Sequence, residues 1–217
     1  MYFKDRNDAG TQLCNRLLFL KGKGALVLGI ARGGVIVGSV IAECIDAELD
    51  VIVPRKLGAP SNPELAIGAV MHDNKCYLND SIIEMLNVSQ EYIKHIKEEK
   101  SKESKEMLTR YRGNDKYDIS DRHIVIVDDG IATGATVIVS ILWCMEHGPA
   151  SITLAVPVMP KDIYNRLKGM VDNLVVILTP IDFGAVGEFY HNFEPVSDEE
   201  VIRALVKKRD KGKEIIK

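Results

Sequence analysis

The sequence predicts an α/β fold built on an open, mostly parallel sheet flanked by helices, with a β-hairpin or loop insertion and a small C-terminal cap. Three observations carry this. Short apolar runs recur between helical patterns, as in ALVLGI (25–30), IVIV (124–127) and ITLAVPV (152–158). Such continuous apolar runs are typical of strands covered on both faces. The alternation of strand and helix favours right-handed parallel crossovers. Third, two of the strands run directly into glycine-containing turns that open helices, where α/β sheets bind their ligands.

In chain order, a helix over about 8–20 places Leu13, Leu17 and Leu20 on one face. A strand at 25–30 leads through Ala31-Arg32-Gly33-Gly34 into a helix with apolar spacing at Val37, Val40 and Ile41. A strand at 49–54 follows, then the loop LGAPSNPE, whose Gly58, Pro60, Asn62 and Pro63 predict neither regular helix nor strand. Residues 65–72 and 75–78, split by Asp73-Asn74, read as a hairpin beside the sheet. A long charged helix over 89–111 has Tyr92, Ile96, Met107 and Leu108 as a sparse apolar face, and its KEEKSKESKE centre reads as a solvated surface. Further strands are expected at 124–128, 152–158 and 174–179, with helices at 135–147 and 161–169. Ser197 to Glu200 forms a capping box for a last helix. The whole, 1–217, is expected to be one unit, with a core at about 8–180, a mobile loop and hairpin at 55–80, and a cap with its helix at 181–217.

Composition narrows the function. Of 217 residues, 46% are hydrophobic and 27% charged, ordinary for a globular protein, and the formal net charge of −3 argues against general nucleic-acid binding. Cys14, Cys44, Cys76 and Cys144 stand far apart with no metal-ligand spacing, and read as small core residues in a reducing cytosol. No apolar run approaches the roughly 18 residues of a membrane span, and MYFKDRND lacks a basic-then-apolar leader, so a cytoplasmic location is expected.

The chemistry concentrates in HIVIVDDGIATGAT (123–136). Asp128 and Asp129 end a buried strand, and Gly130, Ile131, Ala132, Thr133, Gly134, Ala135 and Thr136 follow as a small-residue loop into a helix. Main-chain amides and the threonine hydroxyls suit a phosphate, while the carboxylates suit sugar hydroxyls. Alone, DDG or TGAT would be a turn and a cap. The ordered string points to a sugar-phosphate site. Arg32, between Ala31 and Gly33, offers a planar fork for a second phosphate, and Arg55 and Lys56 end another strand nearby. Phe183, Phe189, Tyr190 and Phe193 cluster after the last strand, where rings could pack or stack on a flat acceptor.

This string resembles the phosphoribosyl diphosphate (PRPP) signature of type I phosphoribosyltransferases. The resemblance implies that Asp128 and Asp129 bind the ribose hydroxyls, that 131–136 wraps the 5′-phosphate, and that Ala31, Arg32, Gly33, Arg55 and Lys56 hold the pyrophosphate. It also implies a hood beyond the last strands, with Phe183 and Tyr190 near the acceptor, Mg²⁺ carried by PRPP, and a homodimer. RKLGAPSNPELAIGAV and DFGAVGEFYHNF are similar to segments of bacterial and archaeal phosphoribosyltransferases whose acceptor is unassigned, from about Phe3 to Val206. Catalysis by Asp128, Asp129 and Arg32 on a nucleobase-like acceptor is the expectation. Ala132 stands where the 6-oxopurine enzymes have an Asp, and it cannot transfer a proton. A non-catalytic PRPP or nucleotide sensor, or an enzyme that hydrolyses or phosphorylates a ribose phosphate, are the alternative readings.

Overall fold

The buried backbone runs pair as parallel strands. In the computed structural model, which describes residues 2–214, five strands form the main sheet: β1 (Leu26–Ile30), β2 (Glu48–Ile52), β6 (His123–Val127), β7 (Ser151–Val158) and β8 (Asn173–Leu178). Their order is β2-β1-β6-β7-β8, and all neighbours run parallel, with Leu26 beside Ile124 and Gly29 beside Val127. From β1 the chain moves to one side; from β6 it moves to the other. The carboxyl ends of β1 and β6 therefore flank the switch point, the crevice such sheets offer to ligands. The anticipated sheet and its strand positions are borne out to within one or two residues.

Alternate side chains of the central strands enter different cores. Leu26, Leu28, Ile124 and Ile126 pack with Ile138, Ile141 and Trp143 of α5 (Ala135–Glu146). Val27, Val125 and Val127 pack with Leu13 and Leu17 of α1 (Arg6–Leu17), with Val37 and Ile41 of α2 (Gly33–Cys44), and with Val201 and Leu205 of α7 (Asp198–Glu214). The Ser197–Glu200 capping box forms: the Glu200 amide donates to Ser197 Oγ at 3.2 Å and the Ser197 amide to Glu200 Oε2 at 2.8 Å. Met1 and 215–217, at the ends of the expected unit, lie outside the described residues.

Two expectations need correcting. The segment after Pro54 is not an irregular loop: β3 (Arg55–Ala59) pairs antiparallel with β4 (Asn62–Val70), which pairs with β5 (Cys76–Leu78). Register shifts at Leu57/Gly58 and Gly58/Ala59 absorb the irregular residues, and Gly58 has room only because it lacks a side chain: a Cβ there would come within 2.6 Å of Pro63 O. The cysteines are the second correction. Cys14 and Cys44 are joined as a disulfide with their Cα atoms 6.2 Å apart, whereas Cys76 and Cys144 are free. Thirty residues of sequence separate the pair, but α1 and α2 lie side by side and bring them together. Burial pushes the Cys144 thiol up to about 12, as suits a core position.

The charged helix α4 (Gln90–Arg112) is held more firmly than its composition suggests. Ser89 caps its start and Gly113, with φ 79°, ends it. Its inner face includes Ile93, Leu108 and Tyr111, and also two buried serines, whose hydroxyls donate to Met71 O (Ser101, 2.9 Å) and to Val53 O (Ser104). Of the expected apolar face only Leu108 is fully buried. The short α3 (Asp80–Met85), capped by Asn79, was not anticipated; its signal is the Asn-Asp-Ser run.

Candidate functional site

The backbone after β6 is arranged around an open helix end. Ile131 donates to Val158 O at 2.9 Å, which pins the loop to the end of β7. Gly134 then takes φ 81° and leads into α5, whose first internal bond runs from the Ile138 amide to Gly134 O at 2.8 Å. The amides of 135–137 thus precede any intrahelical partner and face the loop mouth, where they suit an anion. Ala132 and Thr133 are exposed at its rim and Thr136 is half-buried.

Asp128 and Asp129 sit behind this loop. The Asp129 amide donates to Asp128 Oδ1 at 2.9 Å. Burial, reinforced by the charge of Asp129, pushes the Asp128 carboxyl well above the ordinary carboxylate range. Burial also raises Asp129, but Arg6 opposes it, with Nε 2.8 Å from Asp129 Oδ2. The positive charge of exposed Lys56, on the strand after Pro54, opposes part of that rise at Asp128.

The turn after β1 forms the opposite wall. Arg32 directly precedes α2, half-exposed, with Nη1 2.9 Å from Val196 O and Nε 3.9 Å from Asp198 Oδ1; the Ala31–Arg32 peptide is cis. Gly33 and Gly34 are required by approach. A Cβ at Gly33 would overlap the Asp129 carboxylate, and one at Gly34 would overlap Val127 O and stand 2.9 Å from Asp128 Cα. The structure therefore brings the Arg32 turn and the acidic pair into contact. Arg55 is held at 2.7 Å by Glu103 of α4, so its fork is already engaged by a carboxylate.

The aromatic cluster divides into roles that spacing alone did not separate. The Tyr190 ring is covered by Phe3 and Phe193, with centroids 5.2 and 4.8 Å away, and its hydroxyl donates to Asp129 O at 2.6 Å. It holds the main chain of Asp129 and is itself buried. Phe183 is half-buried and stacks on Phe189 at 5.4 Å. Arg6 was missed altogether; it lies 123 residues from Asp129, and no local motif marks it. Among the described residues, no group of three or more His, Cys, Asp or Glu side chains could hold a metal ion, and no helix is long and apolar enough to cross a membrane.

Comparison with known proteins agrees with this geometry. The family model described as "Phosphoribosyl transferase domain" matches residues 6–194. A "Putative phosphoribosyl transferase" of Mycobacterium tuberculosis, found in two strains, is 43% identical over 204 residues, 94% of this chain and 46% of the relative. The chain thus spans less than half the length of these relatives. The crystal structure of TT1426 from Thermus thermophilus superposes with a TM-score of 0.80 at 35% identity, covering 96% of this chain and 99% of that one.

Proposed function

The chain belongs to the phosphoribosyl transferase domain family, and from that premise we propose that it moves the phosphoribosyl group of PRPP to a nitrogen acceptor, with pyrophosphate as the leaving group. The observation that carries the reading is the half-buried Asp128–Asp129 pair leading directly into the amide-lined mouth of α5, with Arg32 on the facing wall. A ribose bearing a 5′-phosphate needs both chemistries within a few ångströms of each other.

In this reading the amides and hydroxyls of 131–136 take the 5′-phosphate, and Asp128 and Asp129 accept the ribose hydroxyls. Gly33 admits the diphosphate close to the backbone, while Arg32 and Lys56 balance its charge as the anomeric bond breaks. The acceptor attacks from the opposite face with inversion, so the protein contributes mainly placement and charge. The β3–β4 ribbon, with Lys56 on it, shields the cation-like ribose from water. The donor set of hard carboxylate oxygens fits Mg²⁺ arriving on substrate oxygens, and the ion would neutralise the leaving diphosphate. Arg55 joins the pyrophosphate contacts only after exchanging its Glu103 partner. Phe183, the more accessible aromatic, is the ring we place nearest a nucleobase-like acceptor.

Pyrophosphate release from Mg²⁺ and PRPP, measured against purine, pyrimidine and small amine acceptors, tests the proposal. Release that depends on an acceptor and is lost in Asp128→Asn/Asp129→Asn supports it. Tight PRPP binding with no turnover on any acceptor would replace the transferase with a sensor.

A further inference from the structure

Arg6 is the first residue of α1, where a cation opposes the helix dipole. Its side chain nonetheless turns inward and is only 12% exposed. Nε meets Asp129 Oδ2 at 2.8 Å, Nη1 donates to Glu194 O at 2.8 Å, and the guanidinium lies 4.0 Å from the centre of the Phe193 ring. One side chain thus ties the N-terminal helix, the acidic pair and the C-terminal hood. The pocket is shaped around this tie, because a Cβ at Gly33 would stand 2.9 Å from Arg6 Nε as well as overlapping the carboxylate.

We propose that Arg6 is a positioning residue for the transfer: it fastens one oxygen of Asp129 so that the other is aimed at a ribose hydroxyl, and its grip on Glu194 and Phe193 couples the hood to that aim. This rests on the PRPP reading above. A cation beside a partly buried carboxylate favours its ionised form against a neighbouring carboxylate, and a guanidinium cannot surrender its proton. Tyr190 already holds the main-chain carbonyl of Asp129 at 2.6 Å, so the side-chain rotation is the freedom left for Arg6 to remove. A lysine would supply the charge but not the fork that reaches Glu194 O and Asp129 together.

The test is titration calorimetry of Mg²⁺-PRPP onto wild type, Arg6→Gln, Asp129→Asn and the double variant, with pyrophosphate release measured alongside. Arg6→Gln should weaken PRPP binding by roughly 10- to 100-fold, as for loss of a hydrogen bond to a charged group. The loss should fall on the KM for PRPP and leave the KM for the acceptor unchanged. Adding Arg6→Gln to Asp129→Asn should cost no further affinity, because the arginine then has nothing left to aim. PRPP affinity within about twofold of wild type in Arg6→Gln, or losses that add in the double variant, overturns the inference. If Arg6→Gln fails to unfold cooperatively, Arg6→Lys decides: several-fold weaker binding supports the fork, and wild-type affinity overturns it. Wild-type protein that binds no PRPP removes the transferase reading itself, a different result from any of these.

Discussion

Adding one methyl group at Gly34 tests whether the switch point is as closely packed as the structure indicates. The Cβ of Gly34→Ala would overlap Val127 O and lie 2.9 Å from Asp128 Cα, where ordinary contacts run from 3.4 to 4 Å. Both neighbours are main chain at the end of β6, so no side chain can swing aside. The turn and the acidic loop must instead separate by roughly half an ångström or more, and overpacking of this kind costs about 1–3 kcal/mol. For a chain of this length that is a fall in Tm of about 2–12 °C. The catalytic effect should be larger in proportion, since a displacement of about 1 Å in a positioned group can cost on the order of 100-fold in rate. Gly169→Ala is the control, because a Cβ there meets nothing within 4 Å. Differential scanning calorimetry and acceptor-dependent pyrophosphate release read the two effects. Gly34→Ala with the Tm and kcat/KM of the Gly169→Ala control would refute the reasoning.

Three further outcomes are expected. Tyr190→Phe keeps the ring packing but leaves Asp129 O without its donor, so thermal unfolding should show a loss of about 1–3 kcal/mol, with weaker PRPP binding by calorimetry. Arg112→Met strands the half-buried Asp50, which now receives two bonds of 2.7 Å from an arginine that also covers Tyr117; urea unfolding should show a loss of about 1–3 kcal/mol, with kcat/KM per folded molecule unchanged. The folded Asp128 holds its proton above the ordinary value of 3.8, so between that value and its folded pKa the native state binds more protons than the unfolded chain. The contribution of Asp128 to ligand-free stability therefore falls as pH rises through this window. Chemical denaturation across pH should show Asp128→Asn gaining stability relative to wild type as pH rises through this window, while it loses function.

What was legible in the sequence was contiguous. The strand, acidic pair, small-residue loop and helix from His123 to Thr136 are neighbours in the chain, and each restrains the next, so the sheet and the core of the site followed from a single reading. Arg32 was found for the same reason, beside its own strand. Features set by partners distant in sequence were hidden. Arg6 reads as an ordinary charge in a first helical turn until Asp129, Glu194 and Phe193 close around it. Arg55–Ala59 carries loop-forming residues on either side, yet pairing with β4 overrides that preference through register shifts. Tyr190 looked as available as Phe183 because aromatic identity says nothing of which ring becomes covered. In α4, Ser101 and Ser104 seemed part of a solvated run, though each satisfies a main-chain carbonyl in the interior.

The crosslink between Cys14 and Cys44 bears on how the crevice at Asp129 is held. Contacts between α1 and α2 advance in step: Arg6 lies near Gly33, Gly10 faces Val37 and Val40, and Cys14 joins Cys44. The two helices therefore run in the same direction, with their amino ends framing Asp129 and their carboxyl ends tied covalently. A pair fastened at the far end behaves like tweezers with a closed spring. The tie restrains sliding of one helix along the other, and splaying about it would widen the gap at Asp129. Such splaying would also pull on Arg6, which bridges α1 to Asp129.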